Sequence, residues 1–226
     1  MTTMTFKALG ALLMYPEPLL LDALPEIVET IEGERLLDEP TLDGLRRLSV
    51  TLTAAEPLEA EERYVALFDR GRQTSLHLFE HVHGESRDRG QAMIDLQEVY
   101  RKHGLLLAEH ELPDYLPAVL EYLSQIPLDE ARTMLGECRH ILHALQERLS
   151  TLDSDYAAVL TALLEIAGDV DADSDALPAH AQLDLDEAWD EEPVVFGPAA
   201  ACSARAANQP SVVRFVQKQQ LGKELP

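Results

Sequence analysis

Apolar side chains in this chain return at every third and fourth position, in one segment after another, with proline or glycine between the segments. Phe6, Leu9 and Leu13 form the first stripe, and Tyr15-Pro16 closes it, because proline has no N–H with which to continue a helix. Pro18 opens a second stripe, with Leu21, Leu24, Val28 and Ile31 on one face and Gly33 as its stop. Thr41 is suited to cap a third, carried by Leu45, Leu48 and Leu52. Pro57 starts a fourth, with Leu58, Val65 and Phe68 on one side and Tyr64 beside them. Strand-like alternation is nowhere sustained, so the spacing predicts helices packed on helices.

The second half continues the pattern. Met93, Leu96 and Tyr100 mark a fifth helix between Gly90 and Gly104, and Leu116, Val119, Leu120 and Leu123 a sixth. Pro127 opens what reads as the longest helix, with Leu128, Ala131, Leu135, Cys138, Leu142, Leu145 and Leu149 on a single seam. Ser150-Thr151-Leu152-Asp153 has the form of a capping box for a last helix facing inward through Tyr156, Val159, Leu160, Leu163 and Ala167. Aromatic residues are only 5% of the chain and leucine with alanine dominates the apolar set. Both choices favour helix, since unbranched side chains lose little rotamer freedom there.

The expected fold is all-α: a single helical-bundle domain of about eight helices over residues 1–168, with a long polar loop over 70–90 and a flexible acidic C-terminal tail over 169–226. Within that tail, residues 169–192 hold ten acids and no lysine or arginine, while 193–226 hold four basic residues and one acid. The whole chain carries −23, so the helical body keeps −16 of its own. Such a surface repels nucleic acid and anionic membranes, which need a basic face. It favours partners of positive or neutral polar character. Leu183, Leu185, Trp189 and Pro193-Val194-Val195-Phe196 are apolar beads on the acidic string. They suit docking, either onto the chain's own body or onto a partner. Two cysteines without C-x-x-C spacing, no signal-peptide pattern and no apolar run long enough to span a bilayer make the cytoplasm the expected compartment.

One stretch departs from the helix-building pattern. His77-Leu78-Phe79-Glu80-His81-Val82-His83-Gly84-Glu85-Ser86-Arg87-Asp88-Arg89-Gly90 packs three histidines, three acids, two arginines and two glycines into fourteen residues. Its first five letters match the H-x-x-E-H pattern of inverted zinc peptidases. A catalytic zinc also needs a third ligand from a supporting element and partners that orient the ligands. Here Glu85 sits only two residues beyond His83 in the same short segment, so a zinc hydrolase is the outlying reading. Nucleophilic catalysis fares no better: G-x-S-x-G, P-loop and G-x-G-x-x-G patterns are absent from the sequence, and Cys138 lies on an apolar seam. No metal and no cofactor is expected, and the chain does not read as an enzyme. An acidic helical body with apolar inter-helix slots and one polar segment is instead the equipment of a binding module.

Leu67-Phe68-Asp69 followed by the run from Ser75 to Met93 resembles the signature region of the NarJ family, the private assembly chaperones of respiratory nitrate reductase within the wider TorD/DmsD group. Glu111-Leu112-Pro113-Asp114-Tyr115-Leu116 resembles that group's E-x-P-D-[HY] motif, with Tyr115 where many relatives place histidine. Leu12-Leu13-Met14-Tyr15-Pro16 and Ala188-Trp189-Asp190-Glu191-Glu192-Pro193 are similar to the same family. The resemblance implies a helical chaperone that binds the apo catalytic α subunit of nitrate reductase in the cytoplasm, through that subunit's N-terminal peptide and a second contact. It further implies that the client is held ready for insertion of its bis-molybdopterin guanine dinucleotide before membrane docking. A chaperone of another molybdoenzyme, a sulfoxide or N-oxide reductase, is the alternative. On this reading Phe68, Asp69, Phe79 and His83 line or brace the client site. So do Glu85, Arg87 and Asp88 from the polar stretch, and Glu111, Pro113, Asp114 and Tyr115 from the proline-aspartate motif.

Overall fold

The computed structural model describes residues 3–83, 87–108 and 111–168, together with the backbone strand 215–217. The fold is all-α, as expected. Its helices are α1 (Thr5–Leu12), α2 (Pro18–Glu34), α3 (Glu39–Ala54), α4 (Pro57–Tyr64), α5 (Leu78–His83), α6 (Arg87–Lys102), α7 (Leu116–Leu123), α8 (Leu128–Glu137), α9 (Arg139–Thr151) and α10 (Ala157–Ala167). These are ten among the described residues, where about eight were expected. One addition is α5, and the other comes from the long helix expected from Pro127, which breaks in two.

That break falls at Cys138, whose backbone leaves helical geometry (φ −91°, ψ 2°) just after Gly136. Glycine is the residue that least favours a helix interior after proline. The break lets α8 pack against α10 as well as α9. Cys138 is half-buried rather than sealed in the seam, and its thiol is pushed up to about 11, mainly by burial and then by Glu137. A thiol held that high is protonated at neutral pH and is not a nucleophile.

Other local expectations shift by a turn. The cap of α3 is Asp38, whose carboxylate accepts from the Thr41 N–H at 2.9 Å; Thr41 itself is buried inside the first turn. Helix α2 runs past Gly33 and ends with Arg35 in the left-handed region (φ 54°). The expected capping box at Ser150–Asp153 instead closes α9, and α10 begins after Tyr156. Leu58 faces solvent at 67% exposure rather than the core.

The core is organised around α7 and α10. Seven of the eight residues of α7 are buried, and α10 buries Val159, Leu160, Ala162 and Leu163 completely. Two helices so apolar all round cannot lie on a surface. Helix α7 packs on α1, while α10 is wrapped by α3, α8 and α9. None of the helices among the described residues is long and apolar enough to cross a membrane. The only sheet among them is a two-stranded antiparallel pair in which β1 (Leu105–Leu107) meets β2 (Phe215–Gln217), with Leu106 opposite Val216. Strand β2 comes from the stretch expected to be a flexible extension, whose other residues, with the apolar beads, lie outside those described.

Helix α1 is capped from a distance. Its own N-cap, Met4, offers no side-chain acceptor. The Glu34 carboxylate, at the far end of α2, accepts from the N–H groups of Met4 and Thr5 at 2.8 and 2.9 Å and from the Thr5 hydroxyl at 2.6 Å. Burial alone would raise this carboxyl, but the Thr5 hydroxyl and the two N–H groups outweigh it and hold Glu34 below the ordinary glutamate value. A carboxyl depressed on folding contributes stability above its unfolded pKa, about 4.3, and loses it as pH falls through the lower folded value. Glu34→Gln is therefore expected to cost about 1 kcal/mol at neutral pH. In urea denaturation the difference from the unsubstituted chain should shrink as the pH falls below about 4.

Candidate functional site

Helix α4 ends at Tyr64, and the next five residues, Val65–Asp69, form a π-helical turn in which the Arg70 N–H reaches the Val65 carbonyl at 3.1 Å. One extra residue in the turn changes the direction in which the chain leaves the helix. Phe68 is buried at 6% exposure while Asp69 stays at the surface. Gly71 then lets the chain fold tightly back. A Cβ there would stand 2.5 Å from the Thr74 hydroxyl and 3.0 Å from the Leu67 carbonyl, and the Thr74 hydroxyl donates to that same carbonyl.

The stretch expected as a long polar loop is more ordered than that. A 3₁₀ turn at Arg72–Thr74 leads into α5, and α6 begins at Arg87, upstream of Gly90. Between the turn and α5, His77 pairs with Tyr115 in an antiparallel bridge. The Leu116 N–H donates to the Leu76 carbonyl at 2.8 Å and the Leu78 N–H to the Asp114 carbonyl at 3.0 Å. The histidine segment and the proline-aspartate motif, far apart in sequence, are thus stitched backbone to backbone.

Asp114 is the knot of that seam. Its side chain is fully buried. One oxygen accepts from the Phe79 N–H at 3.2 Å, and the other faces His77 Nδ1 at 3.3 Å. Arg89, reaching in from α6, stands 3.7 Å from the same carboxylate and donates to Glu80 Oε1 at 3.1 Å. Burial of Glu80 opposes its ionisation, but the Ser75 hydroxyl and then the Arg89 charge outweigh it and keep this carboxyl low. The Tyr100 hydroxyl, also from α6, donates to the Pro113 carbonyl at 2.7 Å. One buried carboxylate therefore joins α5, α6 and the entry to α7.

The same contacts leave the H-x-x-E-H letters little metal chemistry. His81 Nε2 lies 2.8 Å from the Ser75 carbonyl. A nitrogen beside a carbonyl must donate, so it carries the hydrogen and cannot bind a cation through that atom. His77 precedes α5 and turns its Nδ1 to Asp114. Among the described residues no trio of histidine, cysteine, aspartate or glutamate converges.

Beside this knot lies a cluster of five aromatic side chains and His77. Ring centres are 5.5 Å apart for Tyr15 and Tyr64, 4.9 Å for Tyr64 and Phe68, 5.0 Å for Phe68 and Tyr156, and 5.3 Å for His77 and Tyr115. The Tyr64 hydroxyl donates to the Leu13 carbonyl at 2.9 Å and lies 3.3 Å from the Tyr115 hydroxyl. Tyr64, Phe68 and Tyr156 are buried, whereas Tyr15, His77 and Tyr115 keep part of their surface in solvent. Burial first, then Glu61, Asp69 and Glu17, push the Tyr15 phenol above its ordinary value. Partial desolvation lifts the Asp69 carboxyl although its side chain reaches solvent, and His77 only partly offsets this. An aromatic face rimmed by carboxylates binds apolar groups and cations together, since ring faces and carboxylates both attract positive charge.

The expected site residues divide accordingly. Phe68, Pro113 and Asp114 are interior and brace the face from behind, while Phe79, Glu111 and Tyr115 are half-buried and Asp69 is exposed. Asp88 is exposed in the first turn of α6, and no described contact joins it to the knot. Glu85 lies outside the described residues, as do the side chains of His83 and Arg87. Sequence reasoning missed Glu80 and Arg89 as the clamp, Tyr64 and Tyr156 as partners of Phe68, and Tyr15 as the partner of Tyr64. The available signal was the scarcity of aromatics, since a chain with so few rings gathers five of them here.

Residues 34–162 match the profile of the nitrate reductase delta subunit family. The chain is 44% identical over 207 residues to the nitrate reductase molybdenum cofactor assembly chaperone NarJ of Escherichia coli K12, covering 88% of each protein. It is 40% identical over 213 residues to that organism's probable assembly chaperone NarW, covering 90% of this chain and 89% of NarW. A probable NarJ of Bacillus subtilis is 34% identical over 162 residues, which are 71% of this chain and 86% of the relative.

Proposed function

The chain belongs to the nitrate reductase delta subunit family, and from that premise we propose that it is an assembly chaperone, not an enzyme, whose client is the apo catalytic subunit of a respiratory nitrate reductase. It binds the client's N-terminal segment, holds the subunit open while the molybdenum cofactor is inserted, and leaves before the finished enzyme docks at the membrane. The observation that carries this is identity of 44% along 88% of both chains with a protein named as such a chaperone. The site fits the task. Tyr15, His77 and Tyr115 offer a partly exposed aromatic face, Asp69 and Glu61 rim it, and the Asp114 knot fixes its backbone. A client segment bearing apolar and basic side chains meets both demands at once. The chaperone domain is residues 1–168 on this reading, and the acidic stretch beyond it is an accessory.

Mass spectrometry of proteins that copurify with the full chain tests the client. A nitrate reductase catalytic subunit is expected, and a different molybdoenzyme in its place would transfer the role to the alternative. Calorimetric titration with the client's N-terminal peptide tests the surface. Raising salt from about 0.05 M to about 0.5 M should weaken binding several-fold, because rim charges are screened within a few ångströms at the higher strength. Asp69→Asn should weaken binding at low salt and flatten that salt dependence without moving the melting temperature. Salt-independent affinity would remove the acidic rim from the account.

A further inference from the structure

Helix α6 is weakly anchored for its length. Among its described side chains only Tyr100 is buried, whereas α3, of the same sixteen-residue length, buries six residues. Its apolar positions Met93, Leu96 and Val99 are half-buried, and Ile94 is 52% exposed. Among the described residues its principal neighbours are α5 and β1. Two side chains fasten it elsewhere. Tyr100 packs on Tyr122 with ring centres 4.7 Å apart, and Arg89 reaches the Asp114 knot. Strand β1 follows α6 after a turn at Gly104 (φ 78°), and its own principal neighbours are α6 and β2. Support for α6 therefore runs through a strand whose partner is the C-terminal strand β2.

Strand β2 is suited to come and go. The ladder is three residues long, with Leu105 opposite Gln217 and Leu107 opposite Phe215. Each backbone hydrogen bond adds little net stability, because water competes for the same groups. Pairing also closes residues 169–214 into a loop, which costs chain entropy. Charge works the other way. Arg214 and Lys218 flank the strand, in a stretch with four basic residues and one acid, while the helical body is strongly acidic. A short ladder held by such small opposing contributions lies near balance, where a modest bias moves it.

We propose that the C-terminal strand is a latch on α6. Paired with β1, it steadies the helix and, through Arg89 and Tyr100, the Asp114 knot; released, it loosens both. The contacts supply the path. Arg89 stands 3.7 Å from the Asp114 carboxylate, and the Tyr100 hydroxyl donates to the Pro113 carbonyl at 2.7 Å. The Asp114 carboxylate in turn holds the Phe79 N–H at 3.2 Å. Whatever takes hold of the segment around Phe215 thereby slackens, from behind, the seam that carries His77 and Tyr115. The latch goes beyond the client reading and does not depend on it.

The test is hydrogen exchange on the full chain, with and without the paired substitutions Phe215→Pro and Val216→Pro. N–H groups of neighbouring residues point to opposite sides of a strand, so the pair removes one that faces β1. Both positions lie outside the helical body, so its fold is not at risk. Amides of β1, of α6 and of Phe79 are expected to exchange about fivefold faster, the worth of one backbone hydrogen bond. Helices α1, α3 and α10 are expected to keep their protection. Acceleration that stops at β1, or that stops short of Phe79, overturns the coupling. Equal acceleration in α1, α3 and α10 overturns it as well, because the strand would then be a general brace. Unchanged exchange throughout would mean that β2 supports nothing, and the latch fails.

Discussion

Asp114→Ala should be among the most damaging single substitutions in the molecule, lowering stability by about 3–5 kcal/mol. The carboxylate is fully buried and receives the Phe79 N–H, His77 Nδ1 and the Arg89 charge. Removing it strands a buried backbone donor and leaves a largely buried guanidinium with Glu80 as its remaining carboxylate at this knot. The Nε of Arg89 already lacks a partner among the described residues, so there is no slack to absorb the loss. Asp114→Asn keeps an acceptor for the Phe79 N–H and gives up only the charge, so about half the penalty is expected. Urea denaturation with an unchanged m value reads the difference. A loss below about 1 kcal/mol in Asp114→Ala would mean that the seam between α5 and the entry to α7 holds through its backbone bonds alone.

Gly44→Val is the second large effect, about 3 kcal/mol. Helix α3 crosses α10 so closely that a Cβ on Gly44 would stand 2.9 Å from the Cβ of Ala158. That partner atom is fixed directly to the backbone of α10, so it cannot swing aside. Overpacking there pries α3 from α10, since both helix backbones are fixed at the point of contact. A drop in melting temperature of very roughly 6–12 °C is expected for a domain of this size. Gly44→Ala should cost less, and Ala158→Gly should recover part of it. Additive losses in the double variant would show that the two helices do not meet at this point.

Much of this fold was legible in the sequence, because burial in a helical bundle writes itself at three-four spacing. The stripes through Phe6 and Leu9, Leu45 and Leu48, and Leu160 and Leu163 all lie in the core. The failures share one cause, which is that local rules cannot see the partner. Ser150–Asp153 satisfies a capping-box pattern, but the length of α9 is decided by packing on α10. Asp38 beat Thr41 to the cap of α3 because a carboxylate three residues upstream reaches the free N–H. The site was half legible. A dense run of polar side chains marked its place, and the proline-aspartate motif marked its counterpart. That Asp114 would face inward and tie the two together depends on a pairing across some forty residues, which periodicity does not encode. The π turn after Tyr64 was equally hidden, since α and π windings share the same letters.

The small ladder between Leu105–Leu107 and Phe215–Gln217 has a consequence for the birth of the protein. Its two strands lie roughly a hundred residues apart in the chain, so β1 leaves the ribosome long before its partner exists. Helices α1 to α10 make their contacts among residues already synthesised, whereas β1 has to wait until residues 215–217 emerge. Until then three leucines present an open backbone edge in an acidic, helical nascent chain. Closing that edge is the last backbone pairing available to the described residues, and it reports that synthesis has passed Gln217.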